Sequence, residues 1–251
     1  MADDYILETT GLTKEFQGYR AVSEVRIRVR RHSIHALIGP NGAGKTTVFN
    51  LLTHFLTPTR GRITYNGRDI THLPPARIAR SGMVRSFQIS AVFPHLTVRE
   101  NIRVALQRKL GTSFHFWKSE RSLAGLEEGL QQLAGQVGLD DALQQPAGDL
   151  PYGRKRALEI ATTLALEPEM LLLDEPTSGL GREDIGRISQ LIRTAAANRT
   201  VLMVEHNMAV VADLSHQITV MQHGEILAEG SYDTVSADPR VIEAYVGGSR
   251  A

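Results

Sequence analysis

The sequence predicts an α/β fold built on a parallel sheet, and three observations carry that expectation. Short continuous apolar runs from Ile34 to Ile38, Met170 to Leu173 and Val201 to Val204 suit strands buried on both faces. Segments of helical periodicity alternate with these runs, as a parallel sheet with crossover helices requires. Each run also ends in polar or glycine-rich residues, at the carboxyl edge where open α/β sheets bind ligands.

The first third of the chain reads as strands. Val25, Ile27 and Val29 alternate with Arg26, Arg28 and Arg30, the period of a half-buried strand with its arginines on a solvated face. After the run Ile34 to Ile38 comes Gly39-Pro40-Asn41-Gly42-Ala43-Gly44-Lys45-Thr46-Thr47, which fits the phosphate-loop template G-x-x-x-x-G-K-[S/T] at every fixed position. The glycines let the backbone bend tightly and approach phosphates closely, and the following helix N-terminus favours negative charge. Lys45 is expected to reach the β- and γ-phosphates, and the Thr46 hydroxyl to ligate Mg²⁺. Gly61 to Tyr65, followed by Asn66-Gly67, predicts a strand entering a tight turn.

From about Thr97 to Gln145 the composition shifts to Leu, Gln, Glu and Ala. Leu123, Leu126, Leu130, Leu133 and Val137 recur at helical spacing, so an amphipathic helix is expected. Phe114, Phe116 and Trp117 lie in this helical insertion and read as packing or partner-contact residues. A helix over 154–166 is predicted from Ala157, Ile160, Ala161, Leu164 and Ala165 on one face, with Pro168 as its stop. Asp238-Pro239 supplies the cap and first-turn proline of a terminal helix carrying Val241, Ile242, Tyr245 and Val246.

The second apolar run ends in Asp174-Glu175-Pro176-Thr177 and the third in Glu205-His206. In a chain with a phosphate loop, Asp174 stands where an acid holds Mg²⁺. Glu175, one residue on, is a candidate general base for the attacking water. Two adjacent carboxylates alone would describe a solvated strand end; the loop upstream gives them a chemical role. His206 is a candidate γ-phosphate sensor.

Composition bounds the rest. The 251 residues include 42% hydrophobic and 22% charged side chains, an ordinary globular balance with room for a substantial core. A formal net charge of +1 gives no support to a nucleic-acid partner. There is no cysteine, which removes disulfides and thiol-bound metals and fits a reducing compartment. The acidic start lacks the pattern of a secretion signal, and no stretch approaches the roughly 20 apolar residues needed to cross a bilayer. A cytosolic setting is expected, with any membrane role coming through a partner.

Taken in order, these residues resemble the ATP-binding subunit of an ABC (ATP-binding cassette) transporter over nearly the whole chain. The resemblance implies a P-loop NTPase fold with a RecA-like parallel-sheet core, an N-terminal antiparallel β part and an inserted helical subdomain. The expected division of this single cassette is 1–89 and 155–251 for the nucleotide-binding core and 90–154 for the helical subdomain. Phe16 stands where the family stacks an aromatic on adenine, with Tyr19 as the alternative. Gln88, in Arg85-Ser86-Phe87-Gln88, matches the glutamine that ligates Mg²⁺ and links the core to the helices. Leu150-Pro151-Tyr152-Gly153-Arg154 occupies the signature position, so Gly153 is expected to meet a partner subunit's ATP. Asp174, Glu175 and His206 match the magnesium-site acid, the catalytic base and the switch histidine.

Within the family the chain is similar to ATPase subunits of branched-chain amino-acid importers. Leu158-Glu159-Ile160-Ala161, Val204-Glu205-His206-Asn207-Met208 and the ending from Asp238 to Gly247 carry that likeness. It implies ATP and Mg²⁺ as ligands, a second ATPase subunit (the same or a related one), and membrane-spanning permease subunits at the cytoplasmic face of the membrane. An external substrate-binding protein would be an indirect partner. A lipid or lipopolysaccharide exporter, or a non-transport ATPase of the superfamily, is the alternative. The chain departs from the family at Pro151 and Tyr152, where serine and glycine are usual, and at Gly181, where Asp or Asn is usual. The altered signature is expected to lack one γ-phosphate contact while keeping the Gly153 amide.

Overall fold

The computed structural model describes residues 4–86, 92–109 and 120–247. By its contacts the chain forms two compact units. The first comprises Met1–Arg85, Glu169–Pro176 and Ala196–Ala251, and the second comprises Ser86–Pro168 and Thr177–Ala195. The segment 90–154, read from sequence as the helical part, falls within the second unit, which also takes in 155–168 and 177–195. Among the described residues no helix is long and apolar enough to cross a membrane.

The first unit carries two sheets. Strands β1 (Tyr5–Phe16), β2 (Tyr19–Val25), β3 (Arg28–Arg30), β5 (Arg60–Tyr65) and β6 (Arg68–Asp69) form an antiparallel sheet in the order β2-β1-β5-β6, with β3 also paired to β1. Asn66 and Gly67 both take left-handed backbone angles, φ 50° and 70°, which suit the tight β5–β6 turn expected there.

The single strand read over the alternating arginines is corrected here: the chain leaves the ladder at Arg26 and Ile27, between β2 and β3. The cause is the buried Thr9. Its hydroxyl donates to Val25 O at 3.1 Å and accepts from Ile27 N at 2.8 Å, replacing ladder bonds with side-chain ones. Burial still alternates, with Val25, Ile27 and Val29 at 1%, 0% and 0% exposure, so the arginines do face outward.

The second sheet runs β11-β10-β4-β9-β8-β7, from β4 (Ile34–Ile38), β7 (Met83–Ser86), β8 (Met170–Asp174), β9 (Thr200–Val204), β10 (Gln217–Gln222) and β11 (Glu225–Gly230). The pairs β10–β4, β4–β9 and β9–β8 are parallel. Every residue of β4, β8 and β9 is buried, as their unbroken apolar runs predict. Alternate residues share the faces: Leu37, Leu172, Leu202 and Val204 join Leu7, Leu12, Ile27, Phe49 and Tyr65 in one core beneath the antiparallel sheet. Helices α1 (Lys45–Leu52), α2 (Pro75–Arg80), α7 (Met208–Leu214), α8 (Tyr232–Ser236) and α9 (Pro239–Gly247) complete this unit. Asp238 accepts from Arg240 N at 2.9 Å at the start of α9, the cap expected from sequence.

The second unit is helical: α3 (Val98–Lys109), α4 (Glu120–Val137), α5 (Tyr152–Leu164) and α6 (Arg182–Ala196). Thr97 and Glu100 close a reciprocal capping box on α3, with bonds of 2.8 and 3.2 Å. Leu130, Ala134 and Val137 form the buried stripe of α4. Phe114, Phe116 and Trp117 lie outside the described residues. α5 begins two residues earlier than the sequence suggested, with Pro151 as its cap residue. Proline suits a helix entry because the amide it lacks would have no intrahelical acceptor there. Gly153 therefore sits inside the first helical turn.

Candidate functional site

The phosphate loop joins β4 to α1, and its shape depends on two glycines. Gly39 has φ 148°, and a Cβ there would stand 2.2 Å from Met221 O. Gly44, the α1 cap residue, has φ 98°, and a Cβ would stand 2.6 Å from Ala21 O. Backbone from β2 and from the β10–β11 turn thus braces the loop. Gly224 donates to Ala43 O at 3.0 Å and accepts from Ser23 N at 2.8 Å. Tyr245 on α9 adds a further support. Burial pushes its phenol up to about 12 against the opposing effect of the Gly39 backbone.

Lys45 is 9% exposed and donates its ammonium to Gly39 O at 2.7 Å and Pro40 O at 3.0 Å. Burial lowers its pKa, while the carboxylates of Glu175 and Asp174 act in the opposite sense. The ammonium is thus held in the throat of the loop. Thr46 is exposed, and its hydroxyl makes no hydrogen bond among the described residues. An open cleft of about 210 Å³ is bordered by Asn41 to Thr47, Glu175, Ala21 and Tyr19. Tyr19, rather than Phe16, faces this cleft. The two are Cα partners across the β1–β2 hairpin, and the half-exposed Phe16 ring lies under Lys14 Nζ at 4.9 Å.

The carboxyl ends of β8 and β9 bring the other candidates to the same edge. Asp174 is 1% exposed and pairs with Arg85, whose guanidinium lies 2.5 Å from Oδ2. Arg85 is held in turn by Asn50 Oδ1 at 2.7 Å and lies over the Phe49 ring at 5.5 Å. Glu175 has the left-handed φ of 46°, and its amide donates to Val204 O at 2.9 Å. That twist breaks the strand's alternation, so Glu175 turns to the cleft while its neighbour stays buried. His206 Nδ1 lies 4.0 Å from Glu175 Oε2 and 3.7 Å from Glu205 Oε2. Glu205, fully buried, accepts from His206 N at 2.7 Å and Asn207 N at 3.1 Å, which fixes the turn that carries the histidine.

Lys45, Thr46, Asp174, Glu175 and His206 are therefore brought together in the first unit. Gln88 lies outside the described residues. Gly153 belongs to the second unit, where the Asp184 carboxylate covers it so closely that a Cβ would stand 2.3 Å from Asp184 Cγ. Beside it Tyr152 is 58% exposed and rests against Gly179. Sequence reading gives no role to Arg85, Gly224 or Asp184, and it marks Glu205 only as part of the polar end of the third apolar run. Arg85 stands in the sequence only as a neighbour of Gln88.

The donor set fits magnesium bound with a nucleotide. A free hydroxyl and one buried carboxylate are the sparse protein ligands Mg²⁺ uses when phosphates and water supply the rest. The loop also has space for a polyphosphate, since nothing lies within 4 Å of a Cβ at Gly42.

Comparison with known proteins identifies the family of the chain. Residues 22–178 match the ABC transporter family, and residues 225–251 match the branched-chain amino acid ATP-binding cassette transporter family. The chain is 41% identical to the high-affinity branched-chain amino acid transport ATP-binding protein BraF of Pseudomonas aeruginosa, covering 96% of this chain and 98% of the relative. It is 38% identical to LivG of Escherichia coli, with the same description and the same coverage. A crystal structure of an ABC-transporter ATP-binding cassette in its ADP conformation superposes with a TM-score of 0.85 at 30% identity, covering 97% of this chain and 99% of that one. A nucleotide-free cassette gives 0.84 at 29%, covering 96% and 98%. The α/β fold read from sequence is that of this group: the chain belongs to the ABC transporter family, among its ATP-hydrolysing subunits.

Proposed function

We propose that this subunit powers the uptake of branched-chain or related amino acids, working at the cytoplasmic face of a membrane through permease subunits. The observation that carries the reading is the meeting of Lys45, Thr46, Asp174, Glu175 and His206 at the carboxyl ends of three parallel strands. The likeness to BraF and LivG, whose names state branched-chain amino acid transport, supports the substrate class.

ATP is bound with its phosphates against the amides of Gly42 to Thr46, the helix N-terminus of α1 and the Lys45 ammonium. Thr46 and Asp174, with Gln88, are the residues that would hold Mg²⁺, which offsets phosphate charge. Arg85 orients the Asp174 carboxylate through their buried ion pair. Glu175 accepts the proton of the attacking water, and His206 beside it contacts the γ-phosphate. The adenine stacks on Tyr19, the aromatic that faces the cleft, with Phe16 as the alternative. A second ATPase subunit contributes its own Gly153 segment in trans, so the γ-phosphate bridges two surfaces and its loss lets them part. Pro151 offers no amide and no hydroxyl, and Gly181 no carboxylate or amide side chain, so these contacts of the usual cassette are missing.

Lys45→Ala should abolish measurable Mg-ATP binding by calorimetry in the folded protein; binding at the parental affinity would remove the loop from this role. Tyr19→Ala should raise the KM for ATP roughly tenfold, the weight of one lost ring–base stack, with Phe16→Ala near the parent value. The reverse ranking would return the adenine to Phe16. Copurification with the permease pair, followed by ATPase assays with leucine, isoleucine or valine and the external binding protein, tests the substrate. Stimulation by a lipid in their place would assign the subunit to export.

A further inference from the structure

Arg26, Arg28 and Arg30 take no part in the nucleotide cleft. They border a second, larger cleft of about 310 Å³ together with Tyr5, His35, Gln217 and Glu229. His35 is the second residue of β4 and Gly39 follows its last, so the two clefts sit at opposite ends of one strand. All the lining residues belong to the first unit.

The charge of this cleft is poorly neutralised. Arg28 pairs with Glu8 at 3.3 Å, and Arg30 faces Asp4 at 3.9 Å, with Asp4 75% exposed. Arg26 has no ion pair among the described residues. Exposed pairs of this kind are weak and yield readily to a better anion. Glu229 is the opposing charge, and it already accepts a hydrogen bond from Gln217 at 3.0 Å. The guanidiniums of Arg28 and Arg30 lie 5.6 and 5.8 Å from the Tyr5 ring centre, which limits their freedom before any ligand arrives.

His35 supplies an independent signal. Its side chain is fully buried, Nε2 lies 2.8 Å from Thr219 Oγ1, and Nδ1 has no hydrogen-bond partner. Burial lowers its pKa to about 4, so the ring is neutral near pH 7 and carries one proton. If that proton were on Nε2, the Thr219 hydroxyl hydrogen would lack an acceptor and Nδ1 a donor. If Thr219 donates to Nε2, only the Nδ1–H is left wanting. The second arrangement leaves fewer buried groups unsatisfied. A residue lining the arginine-bordered cleft thus holds a buried donor that lacks an acceptor.

We propose that this cleft binds a small metabolite through an oxyanion, carboxylate or phosphate. Arg26 and Arg28 hold its charged group, Gln217 and Glu229 meet its polar remainder, and His35 is the innermost donor. The volume lies at the lower end for small-molecule sites, which suits a metabolite and not a polymer. His35 Nδ1 is covered, so its use as a donor requires the residues over it to move as the anion enters.

The test is a titration of the Mg-ADP-loaded protein with inorganic phosphate and, separately, succinate, at constant ionic strength. The readout is the nitrogen resonances of the arginine side chains and of the His35 ring. Repeating it with nucleotide-free Lys45→Ala makes the result independent of the ATP site. Saturable binding of one probe that shifts the His35 Nδ1 resonance is expected, and the better probe identifies the oxyanion. Arg26→Gln should weaken it roughly tenfold, and Arg26→Lys less, because only guanidinium offers a paired fork. Shifts that chloride reproduces, or equal affinities in the parent and Arg26→Gln proteins, would overturn the proposal. Both substitutions lie on an exposed face, so folding is not at stake.

Discussion

Glu175→Gln should cut ATP turnover by roughly 10²–10⁴-fold, the usual contribution of a general base, while Mg-ATP still binds. The amide keeps the shape of the side chain and cannot take a proton from water. The left-handed turn at residue 175 and its bond to Val204 O are backbone features, so they survive the exchange. What disappears is the carboxylate that borders the cleft 4.0 Å from His206 Nδ1. Phosphate release assayed beside calorimetric binding separates the two effects. Parental turnover in the variant would take the catalytic role away from Glu175.

Arg85→Met should destabilise the fold by about 3–5 kcal/mol, since removing one member of a buried ion pair strands the other's charge in a poor solvent. Asp174 is 1% exposed and the Arg85 side chain 9%, so water cannot replace the lost guanidinium without local opening. For a chain of this size the loss corresponds to an apparent Tm lower by roughly 10 °C. Adding Asp174→Asn to Arg85→Met removes both charges and should restore most of the stability, although not the activity. Thermal melts of the single and double variants check this. An unchanged melt in the single variant would mean the pair carries little of the fold.

The glycine-rich loop and the two carboxylates stand out in sequence because the chemistry proposed for them fixes residue type and spacing within a few positions. The buried strands were legible for a related reason: a strand covered on both faces can hold only apolar side chains, as β4, β8 and β9 do apart from His35, Thr200 and Asp174. Partners distant in sequence were not legible. Arg85 and Asp174 lie 89 positions apart, and no local pattern joins them. The break between β2 and β3 depends on a hydroxyl at Thr9, 16 residues from the Val25 carbonyl it binds. Sequence put Phe16 ahead of Tyr19, but the two are paired across one hairpin and its fold turns Tyr19 to the cleft.

The left-handed backbone at Glu175 carries one more implication. A glycine would rest there without steric penalty, whereas any side chain costs of order 1–3 kcal/mol at such an angle. Selection for thermal endurance alone would therefore erode this position toward glycine, giving a hardier but inert cassette. Keeping the acid means the protein lives with a permanent conformational debt at the residue proposed to activate the water.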